Sequence, residues 1–277
     1  MDRLINVLIV VLLVSGAALL LYPTISDYIN SKQASAVISD YHENYVNTRE
    51  EKRKEMLEEA EKYNELLKGS SNSLFEPSQV TGYNKLLDPM GSGVMGYIDI
   101  DKIGVELPVY HGVDKGVLQI GVGHLEGSSL PVGGEGTHCV LSGHRGLPSA
   151  KLFTDLDRME IGDKFTLTVL DRVMTYEVDQ IKTVLPQEVS DLTIEEGRDL
   201  CTLVTCTPYG INTHRLLVRG VRVDQGKAKT PGIFVSNEAF KVNSAIVATV
   251  IAIPAFMAVV VITIIIERRR TGHAKER

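Results

Sequence analysis

The sequence has few cysteines and lacks a net positive charge. Its 277 residues include three cysteines, and 29 lysines and arginines are outnumbered by 35 aspartates and glutamates, for a formal net charge of −6. No CxxC or HxxxH spacing occurs among the cysteines and histidines, so the sequence gives little support to a zinc site. The acidic balance argues against nucleic acid as a partner. The odd cysteine count leaves at least one thiol without an intramolecular disulfide partner.

Two apolar stretches do not suit a soluble core. Residues 4–21 and 245–266 are almost entirely apolar, and each approaches the roughly 20 residues that cross a bilayer as a helix. The first could instead be a cleaved signal peptide. However, its leading segment has only Arg3 as a basic residue, and residues 22–25 (YPTI) make a poor small-residue cleavage site. We therefore favour an uncleaved anchor.

The C-terminal tail predicts the orientation of these spans. Residues 267–277 carry a net charge of +3, which leaves −9 for the rest of the chain. Basic residues beside a membrane span stay on the cytoplasmic side. With two spans, both termini are then cytoplasmic and residues 27–244 are extracellular.

A helical segment is predicted after the first span. Over residues 34–68, apolar residues recur at three- and four-residue spacing and Glu and Lys fill the other positions, as in an amphipathic helix. We interpret residues 27–73 as a charged stalk that lifts the next domain off the membrane. A partner-binding coiled coil is less favoured because the apolar positions thin out around residues 47–54.

From residue 94 the pattern changes to short strands punctuated by Gly, Pro and Asp, which is typical of an all-β barrel or sandwich. Short helices are expected at Leu118–Gly121 and Ala150–Leu156. The predicted strands are Val94–Ile100, Val105–Tyr110, His138–Ser142, Lys164–Leu170, Met174–Val184, Leu200–Val204 and Leu216–Val223.

Three residues in this β region suit thiol acyl transfer. Cys206 closes one apolar run, Arg215 opens the next, and His144 lies in a turn between Gly143 and Gly146. A thiolate nucleophile, a base and an oxyanion donor are the groups that this chemistry needs. Each residue alone is more often a buried thiol, an ordinary histidine or a solvated cation, so the hypothesis depends on their combination.

The segments around these residues resemble a known family. Thr202–Cys206 (TLVTC) matches the TLxTC signature of sortases, Cys206–Arg215 (CTPYGINTHR) matches the form found in class C, pilus-building sortases, and Leu141–Gly146 (LSGHRG) matches the segment of the catalytic histidine. The similarity spans residues 89–223. It implies a mainly β fold, an eight-stranded β-barrel with short helices, and no cofactor.

The resemblance also implies a reaction. Cys206 would attack the Thr–Gly amide of an LPxTG-like sorting signal, Arg215 would hold the carbonyl oxygen, and His144 would protonate the leaving amine. A lysine amine of another pilin subunit would then resolve the thioacyl enzyme. Two alternatives stay open: a sortase that joins surface proteins to a cell-wall precursor, and a non-catalytic surface β-domain that binds peptides.

Class C sortases carry a lid before the barrel, with an Asp-Pro-aromatic anchor in the catalytic groove. The corresponding residues are Asp88, Pro89 and Met90, so this chain has methionine where the aromatic residue usually lies. We expect Asp88 to pair with Arg215 and Met90 to lie over the thiol. Without the resemblance, the Pro and Gly content predicts only a surface loop.

The chain is thus divided into seven segments. They are an N-terminal transmembrane anchor (1–26), a helical stalk (27–73), a lid loop (74–93), a catalytic β-barrel (94–226), a linker (227–244), a C-terminal transmembrane helix (245–266) and a basic cytoplasmic tail (267–277).

Cys139 and Cys201 each lie five residues before a proposed catalytic residue, His144 and Cys206 respectively. If the two strands are parallel neighbours, as the family fold implies, the two thiols lie at the same level and about 4.8 Å separates their chains. Disulfide geometry is demanding, so two buried free thiols are favoured over a bridge.

Overall fold

The computed structural model describes residues 2–68 and 82–223, together with Phe256 and Val260. The predicted linker, second span and basic tail lie outside the described residues apart from those two positions. The chain divides into two compact units, one formed by Ser26–Ser236 and one by the terminal segments Met1–Ile25 and Asn237–Arg277. The first unit contains the β-barrel.

Eight strands close into a barrel in the order β1-β2-β3-β4-β7-β8-β6-β5. This confirms the predicted mainly β fold and the eight-stranded barrel. Neighbouring strands are antiparallel except for β2 with β3 and β4 with β7, which are parallel. The strands are β1 (Val94–Ile100), β2 (Val105–His111), β3 (Val122–His124), β4 (Thr137–Ser142), β5 (Lys164–Val169), β6 (Arg172–Val184), β7 (Asp199–Thr207) and β8 (His214–Arg222).

One strand and one helix in the structure differ from the predictions. Strand β3 was not predicted, because its three residues are too short to show an alternating pattern. The helix expected at Ala150–Leu156 is wrong: turns occupy this stretch, and a 3-10 helix follows at Leu156–Arg158. A helix does form near the other expected position, as α3 (Lys115–Ile120).

The N-terminal part is two helices rather than one. Helix α1 (Asp2–Asn47) runs without interruption from the apolar stretch into the predicted stalk, and α2 (Glu50–Lys68) follows after a break at residues 48 and 49. The break lies where the apolar positions thin out. Within the described residues, the part of α1 over Ile9–Asn47 is long and apolar enough to cross a membrane, since it contains an 18-residue window with a mean hydropathy of 2.1.

The residues of the predicted stalk, in α2 and in the part of α1 after Ile25, pack on the barrel. Ile38, Tyr41, Leu57, Ala60 and Tyr63 are buried in the same hydrophobic core as the barrel interior. The spaced apolar residues that suggested a helix therefore cover the barrel surface, and the acidic and basic residues between them face solvent.

Two polar contacts fix the register of this packing. The Tyr41 hydroxyl donates to the carbonyl of Met95 at 2.8 Å and accepts from the amide of Leu170 at 2.9 Å. On α2, Asn64 accepts from the amide of Leu130 at 2.7 Å and donates to the carbonyl of the same residue at 3.2 Å. Buried polar side chains with such bonds specify one docking position, because any shift leaves them unsatisfied.

Candidate active site

Cys206 and Arg215 are direct partners across strands β7 and β8. Because directly opposite residues in an antiparallel pair project from the same face, the thiol and the guanidinium share one side of the sheet. His214 pairs with Thr207 in the next position, so its side chain points to the other face. The two-residue strand period thus separates the adjacent His214 and Arg215.

Among the described residues, no acidic side chain forms an ion pair with the guanidinium of Arg215. Its Nη1 donates to two carbonyl oxygens of its own turn, those of His214 at 3.0 Å and Asn212 at 3.3 Å. These bonds orient the side chain and leave other N–H groups available. A partly exposed cation held in this way can act as a donor to a developing oxyanion.

The third residue, His144, is brought to the same end of the barrel by strand β4. This strand is parallel to β7, and Ser142 pairs with Val204. Just beyond, the Gly143 amide donates to the carbonyl of Val204 at 3.0 Å, and the buried Thr205 hydroxyl donates to the carbonyl of Gly143 at 2.7 Å. The loop that begins with His144 is therefore tied to the residue immediately before Cys206.

Two glycines let the histidine loop fit closely. A Cβ on Gly143 would lie 2.6 Å from the ring of Phe153, and one on Gly146 would lie 2.9 Å from the ring of Tyr209. Gly146 also has a φ of +75°, a conformation that favours glycine. The SGHRG sequence is thus explained by two close contacts on either side of His144.

Partial burial lowers the pKa of His144, since an imidazolium loses hydration when it is moved away from water. Cys206 and Arg215 are likewise neither fully buried nor fully exposed. An imidazole can both give and take a proton in general acid–base catalysis. All three residues are thus partly exposed at one end of the barrel.

The lid residues do not make the expected ion pair: within the described part of the chain, Asp88 and Arg215 are not bonded. The Asp88 carboxylate instead accepts from the amides of Ser92 and Gly93, each at 3.0 Å. Aspartate side chains often accept hydrogen bonds from nearby backbone amides. The sequence alone does not show whether Asp88 binds such amides or a distant arginine. Met90, half-buried, packs against the barrel core, and Pro89 is also half-buried.

Residues outside the motifs anchor the described part of this lid segment, residues 82–93. The Tyr83 hydroxyl lies 2.9 Å from Nδ1 of His124 and accepts from the Gly112 amide at 3.0 Å. His111 lies between two lid carbonyls, with Nε2 2.7 Å from the oxygen of Leu86 and Nδ1 3.0 Å from that of Gly93. Single histidines in apparent loops gave no signal for these contacts in the sequence.

The interior cysteines have the predicted register. Cys139 on β4 pairs with Cys201 on β7, both are buried, and both are free thiols. Burial, reinforced by the hydrogen bond between the two thiols, raises the pKa of Cys201 well above its usual value. The Cys201 thiol therefore stays neutral, and a neutral buried thiol is chemically inert. Over residues 2–68 and 82–223, no group of three or more His, Cys, Asp and Glu side chains is arranged to hold a metal ion.

Three comparisons with known proteins agree with this geometry. A sortase domain matches residues 98–223. The crystal structure of sortase C1 from Streptococcus agalactiae is 48% identical, with a TM-score of 0.63, and the match covers 69% of this chain and 100% of that one. A second structure, of Clostridium perfringens sortase C with the C-terminal cell wall sorting motif, is 45% identical with a TM-score of 0.60. The match covers 69% of this chain and 100% of that one.

Among curated relatives, sortase D of Bacillus subtilis is 34% identical over 131 residues, which are 46% of this chain and 63% of that protein. The chain spans less than two thirds of the length of the curated relatives that it matches. The closed eight-stranded barrel and these matches agree on one family. The chain belongs to the sortase family, and its solved structural neighbours support class C within that family.

Proposed function

We propose that this protein is a membrane-anchored cysteine transpeptidase that cleaves an LPxTG-like sorting signal between Thr and Gly and joins the acyl group to a lysine amine of another pilin subunit. The observation that carries the proposal is the pairing of Cys206 with Arg215 beside the loop of His144. The class C relatives support the pilin acceptor.

In the first half-reaction, the Cys206 thiolate attacks the carbonyl carbon of the threonine. The new C–S bond forms as the carbonyl electrons move to oxygen, where Arg215 donates hydrogen bonds to the negative charge. As the carbonyl re-forms, the C–N bond breaks and the glycine amine leaves with a proton from the His144 imidazolium. The product is a thioester on Cys206.

In the second half-reaction, a lysine amine attacks the thioester carbonyl. His144, now neutral, accepts a proton from this amine, and the Cys206 thiolate leaves as the new amide forms. The lowered pKa of His144 serves both steps, because its imidazolium is a stronger acid and its neutral form is available at neutral pH. General acid–base help of this kind contributes about 10²–10⁴ in rate.

The proposed reaction is tested with the full chain in detergent, an LPxTG-like peptide, and two acceptor peptides. One acceptor carries a pilin-type lysine and the other is a cell-wall stem peptide with a free amine. We expect mass spectrometry to show the threonyl product on the pilin-type lysine. Exclusive transfer to the stem peptide would favour the wall-anchoring alternative, and binding without any cleavage would favour the peptide-binding domain.

The proposed membrane arrangement has both termini in the cytoplasm and the barrel outside. The apolar helix within Ile9–Asn47 and the basic residues after the second apolar stretch support it. Protease added to intact protoplasts should remove the barrel and spare a tag fused at Arg277. Loss of the tag together with the barrel would contradict this arrangement.

A further inference from the structure

Arg145, the residue after His144, reaches across to the segment that follows Cys206. Its Nη1 lies 3.4 Å from the Thr207 hydroxyl, and its guanidinium carbon lies 5.9 Å from the centre of the Tyr209 ring. The other end of the guanidinium pairs with Asp157. One cation therefore contacts both loops of the proposed site and a third segment that holds it in place.

The burial of Arg145 distinguishes it from an ordinary surface cation. Its side chain is 10% exposed, whereas Arg158, which pairs with Asp155 nearby, is 71% exposed. The Nε of Arg145 is buried without a hydrogen-bond partner among the described residues. Removing a guanidinium from water is costly unless it is well paired, so this placement indicates a use beyond a solvated ion pair.

The ring of Tyr209 packs against Gly146 on one face, although much of the side chain is exposed. Its ring contacts Gly146 so closely that a Cβ there would approach to 2.9 Å, and Gly146 is itself fixed by a 3.1 Å bond from its amide to the Thr154 hydroxyl. A guanidinium near the ring adds a cation–π attraction. The turn after the nucleophile is thus clamped to the turn after the histidine.

We propose that Arg145 is a positioning residue that holds the turn after Cys206 against the loop of His144, with Asp157 as its orienting carboxylate. It touches neither substrate nor the reacting atoms and acts by fixing the separation of thiol and imidazole. This inference rests on the proposed transpeptidase function. A displacement of about 1 Å in such a pair can lower a rate by about 10²-fold.

The test compares Arg145→Gln, Arg145→Lys and Asp157→Asn, with Arg158→Gln as the matched control. Two readouts are used: kcat and KM for an LPxTG-like peptide, and the pH midpoint of Cys206 alkylation in the absence of peptide. The second needs no turnover. If the wild type cleaves no peptide, the proposed function fails, while the alkylation midpoint still reports on the positioning.

We expect Arg145→Gln to lower kcat by about 10- to 100-fold with little change in KM, and to raise the alkylation midpoint because the thiolate loses the aligned N–H of the His144 imidazole. Arg145→Lys should recover part of kcat, since an ammonium keeps the charge but lacks the planar fork. Asp157→Asn should have a smaller effect in the same direction, and Arg158→Gln should behave as the wild type.

The proposal is overturned if folded Arg145→Gln retains both the wild-type kcat and the wild-type midpoint. It is also overturned if KM alone rises, which would make Arg145 a substrate contact. Should Arg145→Gln fail to fold, Asp157→Asn decides, because Asp157 is partly exposed and outside the core. A folded Asp157→Asn protein with both readouts unchanged would then refute the role.

Discussion

Strands β4 and β7 each carry one cysteine in the barrel interior and lead to one proposed catalytic residue near their C-terminal ends. The two pairs of residues therefore differ in their depth in the barrel. Inside the barrel, Cys139 and Cys201 face each other with His124 beside them, and all three are buried. Near the C-terminal ends of these strands, His144 in the loop after β4 and Cys206 within β7 are partly exposed. Thiol and imidazole groups thus occur together twice, in an interior cluster (Cys139, Cys201 and His124) and in a rim site (His144 and Cys206).

The interior cluster and the rim site differ in how many of their polar atoms already have hydrogen-bond partners within the protein. His124 has Tyr83 at 2.9 Å on one ring nitrogen and the Ser129 carbonyl at 2.9 Å on the other, so neither nitrogen is available to a substrate. Burial raises the pKa of Cys201 and keeps it a neutral thiol. Reactivity therefore follows exposure and uncommitted hydrogen-bonding groups rather than residue type.

The largest expected effect separates the two cysteines of β7. Cys206→Ala should abolish both cleavage and transfer, because no thioacyl intermediate can form. Cys201→Ala should keep turnover and lose stability, by about 0.5–3 kcal/mol as for other core truncations. Peptide turnover and urea unfolding of both variants measure this contrast. Wild-type turnover by Cys206→Ala would refute the mechanism.

A thiol-labelling experiment tests the same contrast without substrate. In the native protein, a small alkylating reagent should modify Cys206 alone, because Cys139 and Cys201 become accessible only when the barrel opens. Opening of a stable core is rare, so we expect at least about 10³-fold slower labelling there. After non-reducing denaturation, intact mass should show three alkylated thiols; one alkylated thiol would reveal a bridge between the interior pair.

The rim site includes an arginine, Arg215, whereas the interior cluster of Cys139, Cys201 and His124 does not. Arg215→Lys should lower kcat/KM by about 10²–10³-fold, as does loss of an oxyanion donor, because an ammonium cannot reproduce the guanidinium fork. His214→Gln is the matched control, since its side chain lies on the opposite face of β8. Similar losses in the two variants would indicate a disturbed strand rather than a lost donor.

The sequence predicts the parts of this fold and site that depend on residues close together in the chain. Short runs between Gly, Pro and Asp predicted β1 with its observed bounds. The spacing of Cys139 and Cys201 predicted their alignment once the family resemblance implied parallel neighbouring strands. What could not be read depends on tertiary contact: the three-residue β3, the packing of α2 on the barrel, and the reach of Arg145 to Tyr209.

The smallest expected effect concerns the lid. Asp88 had been expected to neutralise Arg215, but its carboxylate binds the amides of Ser92 and Gly93. Asp88→Ala should therefore loosen this turn without freeing a cation. If the lid covers the thiol, as in the class C resemblance, Cys206 labelling should rise by less than about tenfold, which corresponds to under about 1.4 kcal/mol.

Two controls make the lid experiment decisive. Asp114→Ala removes a carboxylate that makes no capping bond to helix α3, so it should leave labelling unchanged. Replacing Met90 with Phe should slow labelling, because a ring specifies its position more firmly than a flexible thioether. If Asp88→Ala labels at the wild-type rate while its turn is shown by hydrogen exchange to be loosened, residues 82–93 do not shield Cys206. The rim site would then be open at rest, and its contrast with the interior cluster would be a matter of strand position alone.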